Sequence, residues 1–410
     1  MYSSLVGFIN KKFNTDAHYF FHGGFWLTVT QVVVVSSGLV TTALFAQYLS
    51  PTEYGMYRYL IGLAVIFSSF SLTGLGQSIL QTAAKKYYSF YTETIKINLA
   101  YSLGIAVVAM GGALYYWYFN NPILSIGCLI IALLQPIINI YQFIPTFLQG
   151  SKRFKESTII QSIRIIIVSI TSLAVLYFTK NILFLLSAYI GSSALINIAS
   201  HFWYRHRSQD ITPPEILKKY IDYARHTSLR NIISTMVQRA DIIIIFTQLG
   251  AADVALYTIA MIIPEQVKAS FKNLASLLLP KYAKHKDLKS HRNISTRSFQ
   301  LFFLLLGVTI CYIVVAPHVY NIIFPKYSNA AFLSQILALS FPAMISIIPT
   351  SAFQSSLEEN KLYKMLAIES TTSILLLVVM TLNFGVLGAI SAKVITRYIT
   401  TLSNYYYVSK

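Results

Sequence analysis

The chain has 410 residues, 55% hydrophobic and only 11% charged, with a mean hydropathy of +0.58. A soluble domain carries about 25% charged residues, so this composition excludes an ordinary soluble enzyme and fits a polytopic all-α membrane protein. The formal net charge is +18, from 32 Lys and Arg against 14 Asp and Glu. No basic soluble module carries that excess, which excludes nucleic acid as the partner.

The first 22 residues hold Lys11, Lys12, Asp16, His18 and His22 without the three-part pattern of a cleaved signal peptide. They are expected to form an amphipathic segment at the inner interface. Runs of about 20 apolar residues, enough to cross roughly 30 Å of hydrocarbon, then recur about twelve times. They lie near 24–48, 56–79, 97–119, 123–147, 157–178, 182–204, 227–248, 254–279, 298–317, 329–352, 364–383 and 386–407. Pro136 and Pro145 interrupt the fourth run, and Pro342 and Pro349 the tenth; each predicts a kink whose freed backbone groups find partners on neighbouring helices.

The loops orient the chain. With twelve spans, 22 of the Lys and Arg residues fall on the side of the N-terminus and 2, Lys180 and Lys326, on the other. That asymmetry predicts both termini in the cytoplasm. The loops on the far side are short, the longest being about a dozen residues at 317–329. The largest inner loop, 205–226, carries Pro213 and Pro214 and is expected to link an N-terminal six-helix lobe (1–204) to a C-terminal one (227–410).

The two halves resemble each other. Leu49 to Tyr57 (LSPTEYGMY) and Leu249 to Tyr257 (LGAADVALY) align without gaps at an offset of 200, matching a leucine, an acid and a tyrosine. Span four ends in PTFLQ, with KRFK following; span ten ends in PTSAFQ, with KLYK following. Both halves start on the same side, so the repeats are parallel, an arrangement found in alternating-access transporters.

LSPTEYGMYRYL, SLTGLGQS (Ser71 to Ser78) and GVLGAISAKV (Gly385 to Val394) resemble Wzx-type O-antigen and polysaccharide flippases of the multidrug/oligosaccharidyl-lipid/polysaccharide (MOP) exporter superfamily. The resemblance spans nearly the whole chain. It implies two six-helix lobes of MATE-like fold around a central cavity. It further implies translocation of an undecaprenyl-diphosphate-linked oligosaccharide across a bacterial inner membrane, with no enzymatic step. Membrane lipids, a polysaccharide polymerase and a chain-length regulator are the partners it suggests. A multidrug or small-molecule antiporter of the same fold is the alternative, because the fold does not settle the substrate.

Ionisable residues in a bilayer cost about 2.5–3.5 kcal/mol each near the centre and persist where water, an ion or a partner reaches them. The in-span cations are Arg58, Arg164, Arg230, Arg239, Lys268, Lys272, Lys393 and Arg397; the in-span acids are Asp241, Glu265 and Glu369. Guanidinium and ammonium groups suit a diphosphate or an acidic sugar. Arg239, Lys268, Lys393, Arg397 and Arg164 are therefore the candidate substrate contacts, and Asp241 and Glu265 the candidates for a coupling H⁺ or Na⁺. Lys393 and Arg397, four apart, are expected on the inner half of span twelve. The competing reading makes Glu265 and Lys268 a helix-stabilising pair, lets Arg239 pair near Asp241, and lets Arg58, Arg230 and Lys272 reach headgroups. Pro264, opposite Ala64 in the first half, puts a kink beside Glu265 in one half only. Cys128 and Cys311 make no CxxC pair, and no Walker loop or metal-ligand spacing occurs, so no cofactor or metal is expected.

Overall fold

The computed structural model describes residues 17–204, 212–276, 291–346 and 359–409. The expected amphipathic segment at the N-terminus lies largely outside them, as does PTSAFQ. The described residues form thirteen helices in chain order: α1 (Ala17–Tyr48), α2 (Pro51–Ser68), α3 (Leu75–Ala84), α4 (Ser89–Tyr118), α5 (Pro122–Tyr141), α6 (Ile144–Gly150), α7 (Phe154–Phe178), α8 (Ile182–Tyr204), α9 (Pro214–Gln248), α10 (Ala251–Ser276), α11 (His291–Ile323), α12 (Asn329–Ala338) and α13 (Glu359–Ser409). Every expected span has a helical counterpart. Spans two, four and ten are broken: α2 gives way to α3, α5 to α6, and α12 to a 3₁₀ turn at Pro342–Ser346.

Spans eleven and twelve are the two limbs of α13. Gly385 has φ +59° and ψ −140°, a conformation that disfavours any side chain. A Cβ placed on Gly388 would fall 1.8 Å from the carbonyl oxygen of Met380, whereas those residues are about 12 Å apart in a straight helix. The chain therefore doubles back there into limbs 359–384 (α13a) and 386–409 (α13b).

Two sequence expectations change. Residues 317–323, expected in a far-side loop, continue α11, leaving 324–328 as the connection to α12. The expected linker 205–226 is helical from Pro214 onward as the first turns of α9; residues 205–211 lie outside the described residues. Eight stretches among the described residues are long and apolar enough to cross a membrane by composition. The helices α2, α9 and α10 fall outside that set because they carry charges.

The chain forms two compact units, residues 1–42 with 63–233, and residues 43–62 with 234–410. In the first unit the breaks in α2–α3 and α5–α6 meet α9. Leu72, Leu75, Ile79, Phe143, Ile144, Leu148, Tyr220 and Ala224 form its buried core. Breaking a span strands backbone groups, and side chains take them up. Ser228 Oγ accepts the Gly74 amide at 2.9 Å, and Asn98 Nδ2 donates to Asn139 O at 2.8 Å. The side chains of Ser68, Gln135, Asn139 and Gln142 bond to one another beside the α2 break.

The second unit contains both repeat loops. Ser50 and Glu53 form a capping box: Glu53 Oε2 accepts the Ser50 amide at 2.8 Å and Ser50 Oγ accepts the Glu53 amide at 3.3 Å. Pro51 fits the first helical position, where no amide bond is needed. Two residues past Glu53, Gly55 lets α2 meet the start of α10: a Cβ there would fall 1.7 Å from Ala251 O. Tyr59 stacks on Phe246 with ring centroids 3.8 Å apart. The S-P-T-E-Y-G stretch is thus a helix start and a docking point for the second repeat.

Because the obstacle at Gly55 is backbone, it has no rotamer by which to yield. Gly55→Ala is expected to destabilise the detergent-solubilised protein by about 1–3 kcal/mol or more, read as a lower apparent melting temperature. Gly24→Ala, where a Cβ meets nothing within 4 Å, is the control and should leave melting unchanged.

Candidate functional site

The second unit brings four of the in-span charges expected from sequence into one ladder along α13b, with Lys268 at its end. Lys393 Nζ donates to Asp241 Oδ2 at 2.6 Å and to the Tyr257 hydroxyl at 3.1 Å. The Tyr257 hydroxyl donates to the same Oδ2 at 2.6 Å, and Asp241 Oδ1 accepts the Ile242 amide at 2.8 Å. Asp241 is 6% exposed and Tyr257 1%, while the Lys393 side chain is 25% exposed, so the rung is buried on the side of the acid and the phenol. One turn along α13b, Arg397 pairs with Glu265 and donates to Ser340 Oγ at 2.7 Å. Glu265 also faces Lys268, at 3.6 Å, and Glu369 lies within electrostatic reach of Lys268.

Helical spacing explains the ladder. Lys393 and Arg397 are four apart, as are Tyr257, Met261 and Glu265, so each set lines one face of its helix. Met261 fills the interval, its Sδ 3.8 Å from Lys393 Nζ. Arg397 and Ser340 carry the same face onto the broken span ten. There Tyr398 donates to Leu339 O and Thr401 to Ala343 O, both at 2.7 Å. Leu339 directly follows the last residue of α12, where helical carbonyls run out of partners, and Ala343 lies in the 3₁₀ turn beyond it.

The placement of Lys393 corrects the expected depth. It lies eight residues past the Gly385 turn, level with Asp241, which precedes the Leu249–Gly250 turn by eight. Lys393 is therefore in the half nearer the short turns, and Arg397 near the middle; span twelve enters the membrane at Gly385, so counting starts from there. The expected Glu265–Lys268 pair is present, and Arg397 joins it.

The other candidates stand apart. Arg239 is two residues from Asp241, about 200° round the helix. It is half-buried and has no ion-pair partner among the described residues, since Asp241 pairs with Lys393 instead. Arg164, in α7 of the first unit, is also half-buried and without an ion pair among the described residues; the phenol of Tyr189 is its electrostatic neighbour. Arg58, expected to reach headgroups, buries its Nε with no hydrogen-bond partner. Arg230 is exposed, and the side chain of Lys272 lies outside the described residues. Tyr257, Ser340 and Tyr398 are site residues that sequence reasoning missed. Tyr257 carried a signal, being the tyrosine that matches Tyr57 in the repeat. No group of His, Cys, Asp and Glu among the described residues could hold a metal ion.

Residues 44–330 match the polysaccharide biosynthesis protein family. The chain belongs to this family. The matched segment includes Arg239, Asp241, Glu265 and Lys268; Lys393 and Arg397 lie beyond it. No curated protein sequence matches the chain. Among solved structures it is similar to the inward-facing form of a multidrug resistance MATE family transporter of the MOP superfamily, with TM-score 0.69 and 11% identity over 94% of this chain and 97% of that one. It is similar to the lipid II flippase MurJ in an inward closed conformation, with TM-score 0.70 and 13% identity over 95% and 88%. It is also similar to a MOP superfamily transporter from Pyrococcus furiosus, described as having a binding pocket of reverse polarity, with TM-score 0.65 and 12% identity over 94% of both chains. The fold expected from sequence, an all-α membrane protein of MATE-like architecture, is the fold observed. This polysaccharide biosynthesis protein accordingly has transporters and flippases, not enzymes, as its structural neighbours.

Removing one partner of a buried ion pair leaves an uncompensated charge and costs about 3–5 kcal/mol. Lys393→Met is therefore expected to destabilise this family member strongly. Lys393→Met with Asp241→Asn should recover most of the loss, because no charge is then stranded. Apparent melting temperatures of wild type and the two variants in one detergent check this; equal losses in the single and double variants would show that the pair carries no coupling.

Proposed function

We propose that the chain is a flippase that moves an undecaprenyl-diphosphate-linked oligosaccharide, an O-antigen or related polysaccharide repeat unit, across a bacterial inner membrane. Alternating access through a cationic pathway is the mechanism, with both termini in the cytoplasm and the six-helix halves 1–204 and 227–410 as its moving parts. Membership of the polysaccharide biosynthesis family supports the substrate class. The observation that carries the reading is the charge balance within the spans. Asp241 and Glu265 are committed to Lys393, Arg397 and Lys268, while Arg239 and Arg164 have no carboxylate among the described residues. A guanidinium in a span without a counter-ion calls for an anion, and a diphosphate supplies two bidentate faces.

In this reading Arg239 and Arg164 are the first contacts of the diphosphate. Lys268, Lys393 and Arg397 are cations held by carboxylates and released to the substrate as the ladder opens. Asp241 and Glu265, once released, take up a coupling H⁺ or Na⁺. A polymerase and a chain-length regulator receive the product on the outer side. A drug antiporter of the same fold would need carboxylates free to receive organic cations, and here both ladder carboxylates already hold lysine or arginine.

The test is complementation of a strain lacking its own repeat-unit flippase, with variants at matched membrane levels. Loss of a charged hydrogen bond to phosphate is worth about 1.5–3 kcal/mol, so Arg239→Ala is expected to lower surface polysaccharide by roughly 10-fold or more, with Arg239→Lys retaining part of it. Normal export by Arg239→Ala together with Arg164→Ala would remove both arginines from the pathway. Failure of the wild-type chain both here and at its native polysaccharide locus would overturn the substrate class.

A further inference from the structure

Pro264 sits fourteen residues into α10, one residue before Glu265. Proline has no amide hydrogen, so the bond that residue 264 would donate to the Ala260 carbonyl does not exist. In hydrocarbon a stranded carbonyl needs a donor from elsewhere. Here the donor comes from α11. The hydroxyl of Tyr320 reaches Ala260 O at 3.0 Å and Ile259 O at 3.2 Å, and Tyr320 is fully buried. Pro264 removes the amide that Ala260 O would accept, and the phenol is the donor that reaches that carbonyl.

The same device recurs on α11 itself. Pro317 strands the carbonyl of Ile313, four residues back, and Gln335 Nε2 of α12 donates to it at 2.7 Å. The carbonyl that each of these two prolines strands is thus capped by a named side chain from the next helix, and α11 is common to the two.

The consequence concerns the ladder. Tyr257 and Met261 precede Pro264; Glu265 and Lys268 follow it. The upper rung, Asp241–Lys393–Tyr257, is therefore fixed by the segment before the bend. The lower rung, Glu265–Arg397–Lys268, depends on the angle at which α10 leaves it. We propose that Tyr320 is a positioning residue for the lower rung: by capping the carbonyl that Pro264 strands, it sets the bend in α10 that brings Glu265 to Arg397.

Only the transport consequence of this role rests on the flippase reading. Cysteine pairs test the role itself in a Cys128→Ala and Cys311→Ala background, using purified full-length protein in lipid nanodiscs and a short bifunctional thiosulfonate. Glu265→Cys with Arg397→Cys reports the lower rung. Tyr257→Cys with Lys393→Cys, in an Asp241→Asn background so that no carboxylate is stranded, reports the upper one. Tyr320→Phe is expected to lower the lower-rung cross-link several-fold and to leave the upper-rung yield unchanged. A general loosening of the fold would lower both, and equal loss in the two pairs would overturn the positioning role, as would no loss in either.

A double-mutant cycle supplies the second arm. In Pro264→Ala the backbone amide returns and caps the Ala260 carbonyl itself, so the phenol becomes redundant. Tyr320→Phe is expected to lower the apparent melting temperature by roughly 2–4 °C with Pro264 present and by nothing measurable in the Pro264→Ala background. The same loss in both backgrounds would overturn the cap. In the complementation assay Tyr320→Phe should reduce export. Should the wild-type chain fail there and at its native polysaccharide locus, the flippase reading falls while the cross-link and melting cycles still decide the role of Tyr320.

Discussion

A carboxylate within a bilayer needs partners, and Asp241 collects them from three directions. It takes a backbone amide from its own helix, a phenol from α10 and an ammonium from α13b. The phenol comes from 16 residues away in sequence and the ammonium from 152. Without Asp241, Lys393 would be a half-buried cation without a counter-ion and Tyr257 a buried hydroxyl without an acceptor. The second unit is organised around that single acid in the way a soluble domain is organised around a large buried aromatic.

The same requirement governs the broken helices. Kinks and breaks are used freely in this fold, and several of them have a side chain assigned to the stranded group: Ser228 for Gly74, Tyr320 for Ala260, Gln335 for Ile313. Apolar packing alone would not hold these bends, since a leucine is as comfortable against lipid as against another helix. Polar contacts do, because the competing state leaves a donor or acceptor unsatisfied in hydrocarbon. The limb α13b shows the pattern most clearly. Lys393, Arg397, Tyr398 and Thr401 all make polar contacts to α9, α10, α12 or the turn after it. Such contacts are specific in register and reversible in principle, because water or an anion can take over each one singly.

Much of this was legible in the sequence. Apolar run lengths indicated the span count, because bilayer thickness fixes helix length. The offset of 200 picked out the loops that meet at Gly55 and Ala251. The list of in-span charges contained every ionised member of the ladder. What sequence could not supply was who pairs with whom. Arg239 is nearer to Asp241 in the chain than Lys393 is, yet helical rotation turns it away. Depth was misjudged for Lys393 because the span was counted from the wrong end, and Pro317 passed as a loop residue because a proline between apolar runs has that signature. Tyr320 and Gln335 left no local trace. Their roles are defined by prolines elsewhere in the chain, and only the fold connects them.

The charge distribution carries a final implication about what each cation is kept for. An unpaired arginine in a span is costly, and Arg239 lies about 200° round α9 from Asp241. A residue kept for stability would sit where its charge is compensated, as Lys393 and Arg397 do. Arg239 and Arg164 instead sit half-buried with no ion pair among the described residues, and the proposed anion binding rests on that arrangement. The paired and unpaired cations therefore divide the work. In the proposed flippase function, the ladder holds the second unit in one arrangement and the unpaired arginines are where an arriving anion would act on it.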